Sequence, residues 1–358
     1  MAMRKFLLRR VLQGIIVIWG VVTILFGLRA VSPGDPATLM LGEGASRELV
    51  ERVREEEGLN EPIYVQYLEY IQGLLTGNLG YSWQSNRQVS AMVIERIPAT
   101  IELAVAATIV AIVIAIPLGV VSATRRNEPS DYGATLFSLL GISTPNFWLG
   151  LMLILVFAVW FGIPYPTVNT SVLALGIVRI PYPTYLGYDF LGFPTGRRAV
   201  GFHDAVLAIF LERSFSEMGT WLRHIALPAI TLGTYFTALI TRLTRSGMID
   251  ELGKPYVTAT KAKGLPGVLI RYKHVLRNTM IPIITVLGLQ MGTLMGGAVI
   301  TETVFNWPGL GLRLIDALNT RDWPLMQGII IFIAIAFVVI NIIVDALYST
   351  LDPRVSDE

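Results

Sequence analysis

Six long apolar runs, parted by polar stretches, set the plan of this chain. They cover roughly residues 11–31, 97–121, 132–161, 221–240, 279–299 and 324–346. Each is close to or above the ~20 residues that an α-helix needs to cross a hydrocarbon core of about 30 Å. Lipid offers no hydrogen bonds to a backbone, so continuous apolar runs of this length cross it as helices. The expected fold is therefore all-α, a polytopic membrane protein with six transmembrane helices. The first run follows directly on Arg4, Lys5, Arg9 and Arg10. It exceeds the apolar core of a secretory signal, about 7–15 residues, and no small-x-small cleavage site follows. It reads as an uncleaved first span. Arg125 and Arg126 follow the second run, and Arg242 and Arg245 follow the fourth. Basic residues gather on the cytoplasmic side. Both termini are thus expected in the cytoplasm of a multi-pass protein of the cell (plasma or inner) membrane.

The polar stretches divide the rest. Residues 1–31 hold the N-terminal tail and first span, and 32–96 are expected as a small external domain. Within it, residues 46–58 place Leu49 and Val53 on one side of a solvated amphipathic helix with i,i+4 charge pairs. A second amphipathic stretch covers 64–75. Residues 97–349 form the five-helix core, with an external insertion at 162–219 rich in Pro, Gly and Tyr, and a cytoplasmic loop at 246–278. A cytoplasmic tail, 350–358, ends the chain. Glu102 sits near the start of the second span, where a carboxylate is cheaper than at mid-membrane, and reads as an interfacial or packing residue rather than a proton relay. Pro145, after Ser143 and Thr144, is expected to kink the third span. Gly288, Gly292, Gly296 and Gly297 give the fifth span a face for close helix packing. Residues 302–311 read as an external loop.

Composition agrees and excludes several functions. The chain is 53% hydrophobic and 15% charged, with a mean hydropathy of +0.59. Soluble domains carry about 25% charged residues. A net charge of +2 gives no reason to expect a nucleic-acid partner, and the absence of cysteine removes thiol chemistry and cysteine-based metal sites. His203, His224 and His274 share no ligand spacing, so no metal site is expected. There is no phosphate-binding loop: the Gly253-Lys254 pair is followed by proline and lacks the upstream glycine. Nor is there an HExxH, GxSxG or paired-carboxylate motif. The spans show neither the facing acidic residues of an ion-coupled relay nor clear internal repeats, which weighs against a self-sufficient secondary transporter. The chain is read as non-catalytic, with neither a catalytic centre nor an ion-coupling site of its own, so energy for solute movement would have to come from a partner.

The organising stretch is residues 256–282, a basic island between two apolar runs. Val257, Ala259, Ala262 and Leu265 are read as one face of a short amphipathic helix. Gly264 ends it, because glycine reaches the left-handed C-cap without a Cβ clash, and Lys261 and Lys263 complement the dipole in its last turn. Such a helix is too short to span, and its expected use is docking at the membrane surface.

This stretch resembles the cytoplasmic loop of permease subunits of binding-protein-dependent ABC importers, in the dipeptide/oligopeptide (peptide/nickel-type) branch. That branch reads YVRTARAKGL, then a HALRN-like stretch and a proline. Here Tyr256-Val257, Ala262-Lys263-Gly264-Leu265, His274, Leu276-Arg277-Asn278 and Pro282 match, while Thr258, Ala259 and Thr260 depart. Pro33-Gly34-Asp35-Pro36-Ala37, the GNLGYS motif from Gly77 and the Asn306-Trp307-Pro308-Gly309 turn extend the resemblance over nearly the whole chain, 162–219 excepted. It implies a type I ABC importer permease fold and half of a translocation pathway for di- or oligopeptides. Relatives also carry oligosaccharides or nickel chelates, and no side chain names the solute or the pathway. Implied partners are a second homologous permease subunit, two cytoplasmic ATPase subunits holding ATP and Mg, an external substrate-binding protein and membrane lipid. No cofactor is expected on this chain itself. Tyr256, Ala259, Ala262, Lys263, Gly264 and Leu265 are the implied ATPase-coupling residues: the alanines and glycine for close docking, Leu265 as apolar anchor and Lys263 for charge.

Overall fold

The computed structural model describes residues 2–42, 44–160 and 215–351. Most of the 162–219 insertion and residues 352–358 of the tail lie outside these. The chain opens with α1 (Ala2–Val31) and three short helices, α2 (Pro36–Leu41), α3 (Arg47–Glu56) and α4 (Ile63–Leu75). Then come α5 (Val89–Thr124), α6 (Pro129–Ser143) and α7 (Asn146–Ile154), the last running into a π-helical turn, Leu155–Trp160. The next described helices are α8 (Phe215–Leu252) and α9 (Pro255–Ala262). A helical turn at Gly267–Leu269 and a π-helical segment, Ile270–Val275, lead into α10 (Leu276–Phe305). The last helices are α11 (Leu310–Asn319) and α12 (Trp323–Leu351). Among the described residues there is no strand, only an isolated bridge between Tyr81 and Gln88.

The all-α polytopic plan holds. Helices α1, α5, α8 and α12 are each long and apolar enough to cross a membrane. Two bent pairs bring the count to six if each is one span: Pro129–Ser143 with Asn146–Phe157, bent by 104°, and Gly267–Met280 with Pro282–Leu294, bent by 49°. The kink expected at Pro145 is thus a full break. Proline disfavours the helical region for the residue before it, and Thr144 is extended at φ −86°, ψ 122°. Leu140's carbonyl closes the end of α6 by accepting from both the Thr144 N–H (2.9 Å) and hydroxyl (2.6 Å).

Helices α5, α8 and α10 make the central core, where Leu103, Ala107 and Ala111 meet Leu232, Phe236, Ile240, Ile283 and Leu294. α5 and α8 run parallel and nearly touch by backbone. A Cβ at Gly233 would stand 2.7 Å from the Ala107 carbonyl oxygen, and Thr241 Oγ1 donates to the Ala115 carbonyl at 3.4 Å. The glycine face foreseen on the fifth span turns toward α12: Gly288 faces Val344 and Gly292 faces Phe337. α1 lies along α12, tied by Arg10 to Asp345 (3.0 Å) and by Gln327 donating to the Leu25 carbonyl (3.1 Å).

The short helices cluster beside the end of α1. Asp35 caps α2, accepting from the Thr38 N–H (3.1 Å) with Pro36 in the first turn. α3 buries no residue, as a solvated helix should, and its Arg54 pairs with Asp35 at 3.0 Å. α4 rests on α1 through Phe26, whose ring meets Tyr67 edge-on at 5.2 Å. Trp221 donates to Glu102 at 3.2 Å, a contact between helices that suits the packing alternative of the two expected for that carboxylate.

The stretch 302–311 is not the simple loop expected. α10 continues through Glu302 to Phe305, Asn306 turns the chain at φ +53°, and α11 begins at Leu310. Glu302 is fully buried and accepts from Thr100 Oγ1 (2.8 Å) and from the N–H groups of Gly311 (2.6 Å) and Leu312 (3.1 Å). These are first-turn donors of α11 that have no partner inside the helix. A carboxylate reaching from the preceding helix takes the place of a local cap.

Candidate functional site

The candidate site lies at the opposite end of the bundle, where α8 leaves the core. α8 stops at Leu252, and Lys254 is extended (φ −76°, ψ 149°) before Pro255 opens α9, a position that proline suits because its missing N–H is not needed there. α9 ends as the sequence indicates. Gly264 sits in the left-handed region at φ +76°. The Gly264 N–H donates to the Lys261 carbonyl (2.9 Å) and the Leu265 N–H to that of Thr260 (3.3 Å), the paired bonds of a Schellman cap.

The face of this helix differs from the expected one. Val257 is buried among Val120, Ala123, Met248, Ile270 and Val275, with Tyr256 and Leu265 packed against that cluster. Ala259, Ala262, Lys263 and Gly264 are exposed. Helical rotation explains the split: at about 100° per residue, Ala259 stands roughly 200° round the helix from Val257. The two alanines therefore belong with Thr258 on the outward face, and Leu265 belongs to the inward one. Leu265 anchors the loop to its own protein. Of the six residues expected to act, Ala259, Ala262, Lys263 and Gly264 form one exposed surface, while Tyr256 and Leu265 support it from beneath.

Tyr256 is held by Glu251, which no motif marks, and by Asn278 of the matching Leu276-Arg277-Asn278 stretch. Its hydroxyl donates to Glu251 (2.8 Å) and accepts from Asn278 Nδ2 (3.3 Å). Glu251 also pairs with Lys254. Burial and the bond to Glu251 raise the Tyr256 pKa, and Glu251 raises that of Lys254. The phenol thus stays protonated and joins the end of α8 to the start of α10. Beside it opens a cleft of about 360 Å³ lined by Tyr256, Lys273, His274, Arg277 and Asn278.

A second constellation holds the same end of the bundle. Asp131, at the start of α6, is buried and receives Arg245 of α8 through two bonds, Nε to Oδ1 at 2.7 Å and Nη2 to Oδ2 at 2.9 Å. Ser122 of α5 and the Asn127 N–H complete its shell. Three helices meet at one carboxylate, and Arg245 stands about two turns before the end of α8. Sequence reading took Arg245 only as a marker of sidedness. No grouping of three or more His, Cys, Asp or Glu residues that could hold a metal exists among the described residues.

These features define a class: a multi-pass helical membrane protein with a short docked helix at one end of its bundle. Comparison with known proteins gives the family. Residues 115–189 and 200–357 match the family described as binding-protein-dependent transport system inner membrane component, and residues 3–104 match the N-terminal region described for such membrane components. The chain is 38% identical over 354 residues to a dipeptide transport system permease protein of Alkalihalophilus pseudofirmus, with 99% of each chain covered. It is 38% identical over 357 residues to the dipeptide transport system permease protein of Escherichia coli, again with 99% of each covered. An oligopeptide transport system permease protein of Bacillus subtilis is 35% identical over 354 residues, with 99% of both covered. The chain belongs to the family of inner-membrane permease components of binding-protein-dependent transport systems.

Proposed function

We infer that this chain is the permease subunit of an ATP-driven importer of di- or oligopeptides and forms half of its translocation pathway. The observation that carries the reading is α9: a short helix fixed from beneath by Val257 and presenting Ala259, Ala262 and Lys263 outward. Small side chains let another protein approach the helix closely. The end of the bundle bearing α9 also gathers Arg125, Arg126, Arg242, Lys261, Lys263, Arg271 and Lys273, a basic excess that supports a cytoplasmic side. Both termini then lie in the cytoplasm, and α2–α4 and α11 face outward.

In this reading two ATPase subunits, which hold ATP and Mg, dock from the cytoplasm, and one receives α9 in a groove. Closure of the ATPases moves α9, and the Tyr256–Glu251 and Asp131–Arg245 bonds carry that motion into α8, α10 and α6. A second, homologous permease completes the pathway, and an external binding protein delivers the solute. The permease itself performs no hydrolysis and holds no cofactor. Names of full-length relatives support peptides as the solute.

The test is ATP hydrolysis by the complete assembly in lipid, with its own binding protein, screened against short peptides and oligosaccharides. Stimulation by peptides is expected. Stimulation by sugars alone would keep the architecture and overturn the solute.

A further inference from the structure

The exposed sides of the spanning helices are not alike. Along α5 from Ile101 onward, the exposed positions are Ile101, Val105, Ile109, Val113, Ile114, Pro117 and Val121, an apolar stripe mostly at four-residue spacing and suited to lipid. α8 is far more enclosed, with 72% of its apolar window buried against 17–33% for the other three unbroken spans. Its few exposed positions are apolar as far as Ile230, but from Tyr235 onward they include Tyr235, Arg242 and Ser246. The Gly233–Ala107 contact sets Tyr235 level with Ile109 of the lipid-facing stripe.

The break between α6 and α7 lies beside this polar stripe. A Cβ at Gly141 would stand 3.0 Å from that of Ala238 and 3.3 Å from the Thr234 carbonyl oxygen, so Ser143 and Tyr235 flank one contact. Ser143 and Pro145 are exposed, and the chain turns by 104° there. Irregular backbone at membrane depth occurs where it is enclosed by protein or lines a water-filled cavity, since lipid cannot bond its polar groups. The Ser143 hydroxyl, Asn146 amide and Tyr235 hydroxyl make no hydrogen bond among the described residues. An exposed break and unpaired polar side chains at one depth are incompatible with a lipid-facing wall.

We propose that the Tyr235–Ser246 stripe of α8 and the Ser143–Asn146 break form one wall of the aqueous route taken by the peptide. Hydroxyl and amide groups suit the main-chain N–H and C=O groups common to all peptides. This assignment rests on the importer reading above and names the residues that would meet its solute.

The chain contains no cysteine, so single cysteines report cleanly. S143C, Y235C and I109C are placed in the full assembly in lipid nanodiscs and exposed to a charged, membrane-impermeant methanethiosulfonate. Labelling is read on this chain after denaturing separation. S143C and Y235C should react roughly tenfold faster than I109C, because a thiolate forms only where water reaches. A stimulating peptide should slow them and leave I109C unchanged. N146C and T144C read the same wall if either first variant fails to assemble. Labelling no faster than at I109C overturns the wall. Peptide-stimulated hydrolysis by the cysteine-free assembly is measured alongside. Its loss with fast labelling intact would sink the peptide reading alone, whereas its presence with slow labelling would sink the wall alone.

Discussion

Two connections between spans, at opposite ends of the bundle, are built on contrary plans. Residues 253–275 carry α9 outward on few tethers: Val257 in a small apolar cluster, Tyr256 between Glu251 and Asn278, and a glycine cap. Residues 306–322 are drawn in. Glu302 is swallowed whole, Trp307 Nε1 donates to the Ala99 carbonyl at 2.7 Å, and the Leu310 N–H donates to Thr100 at 2.8 Å. Glycine serves both connections differently. Gly264 has open space where a Cβ would stand and is needed for its positive φ, whereas a Cβ at Gly311 would lie 2.4 Å from the Val299 Cα. The lesson is that one connection presents its helix on a light footing, as the proposed docking requires, and the other is locked into the bundle. Substitutions should separate them, with stability failing at one and coupling at the other.

The largest effect is expected at Glu302. Glu302→Ala strands two backbone donors and the Thr100 hydroxyl in a dry site, at about 1–3 kcal/mol for each buried group left unpaired. A loss on the order of 4 kcal/mol should appear as a large fall in melting temperature of the detergent-purified chain. Glu302→Gln keeps one acceptor oxygen and should lose about half as much. Equal melting of both variants and the parent would show that the carboxylate does not hold α11.

Next comes Asp131, whose ion pair braces the α9 end against α6. Asp131→Ala leaves Arg245 partly buried without its partner, and breaking such a pair costs about 3–5 kcal/mol. The lower figure is expected, since the Arg245 side chain is 31% exposed. Replacing both residues together, Asp131→Leu with Arg245→Met, should recover most of that stability. Recovered stability without recovered transport would mark the pair as part of the path from α9 to the spans. Recovery of both would make it a brace only.

Much of this plan was legible in the chain. Apolar runs located the spans because lipid demands long uninterrupted helices, and a glycine after two lysines located the end of α9 because glycine reaches the left-handed cap without a Cβ clash. What escaped were features made by distant partners. Nothing near Glu302 announces that its carboxylate caps a helix eight residues on, since caps are usually local. Asp131 and Arg245 are 114 positions apart. The outward face of α9 was misassigned for a different reason: in so short a helix, four small apolar residues fit more than one stripe, and burial of Val257 decides between them. Proline marked the place of the α6–α7 break but not its size, which follows from α7 packing against α8 and α10.

Gly264 is where the comparison becomes functional. Gly264→Val forces a β-branched residue into left-handed backbone at about 1–2 kcal/mol. The chain should still insert and melt close to the parent temperature, while peptide-driven hydrolysis and transport come apart. Gly264→Asn is the control, because asparagine tolerates this conformation; it should behave nearly as the parent does. Normal transport by the valine variant would remove α9 from the coupling path.

The smallest effect is expected at Tyr256, and it asks how firmly α9 is rooted. Tyr256→Phe deletes one donor to Glu251 and one acceptor from Asn278, both on a half-buried hydroxyl, for about 1 kcal/mol. The ring remains against Val257, so α9 should persist and melting should scarcely move. If the phenol transmits force between α8 and α10, transport per ATP hydrolysed should fall in the phenylalanine variant while hydrolysis itself continues. An unchanged ratio would mean that the apolar cluster alone carries the load. The pH profile gives a second view. Tyr256 has its folded pKa raised, so its contribution to stability is complete below the ordinary tyrosine value near 10 and is lost as pH climbs through the higher folded one. The parent should therefore lose stability in strong alkali in a way that Tyr256→Phe does not, and that difference isolates the tether from everything else at this end of the bundle.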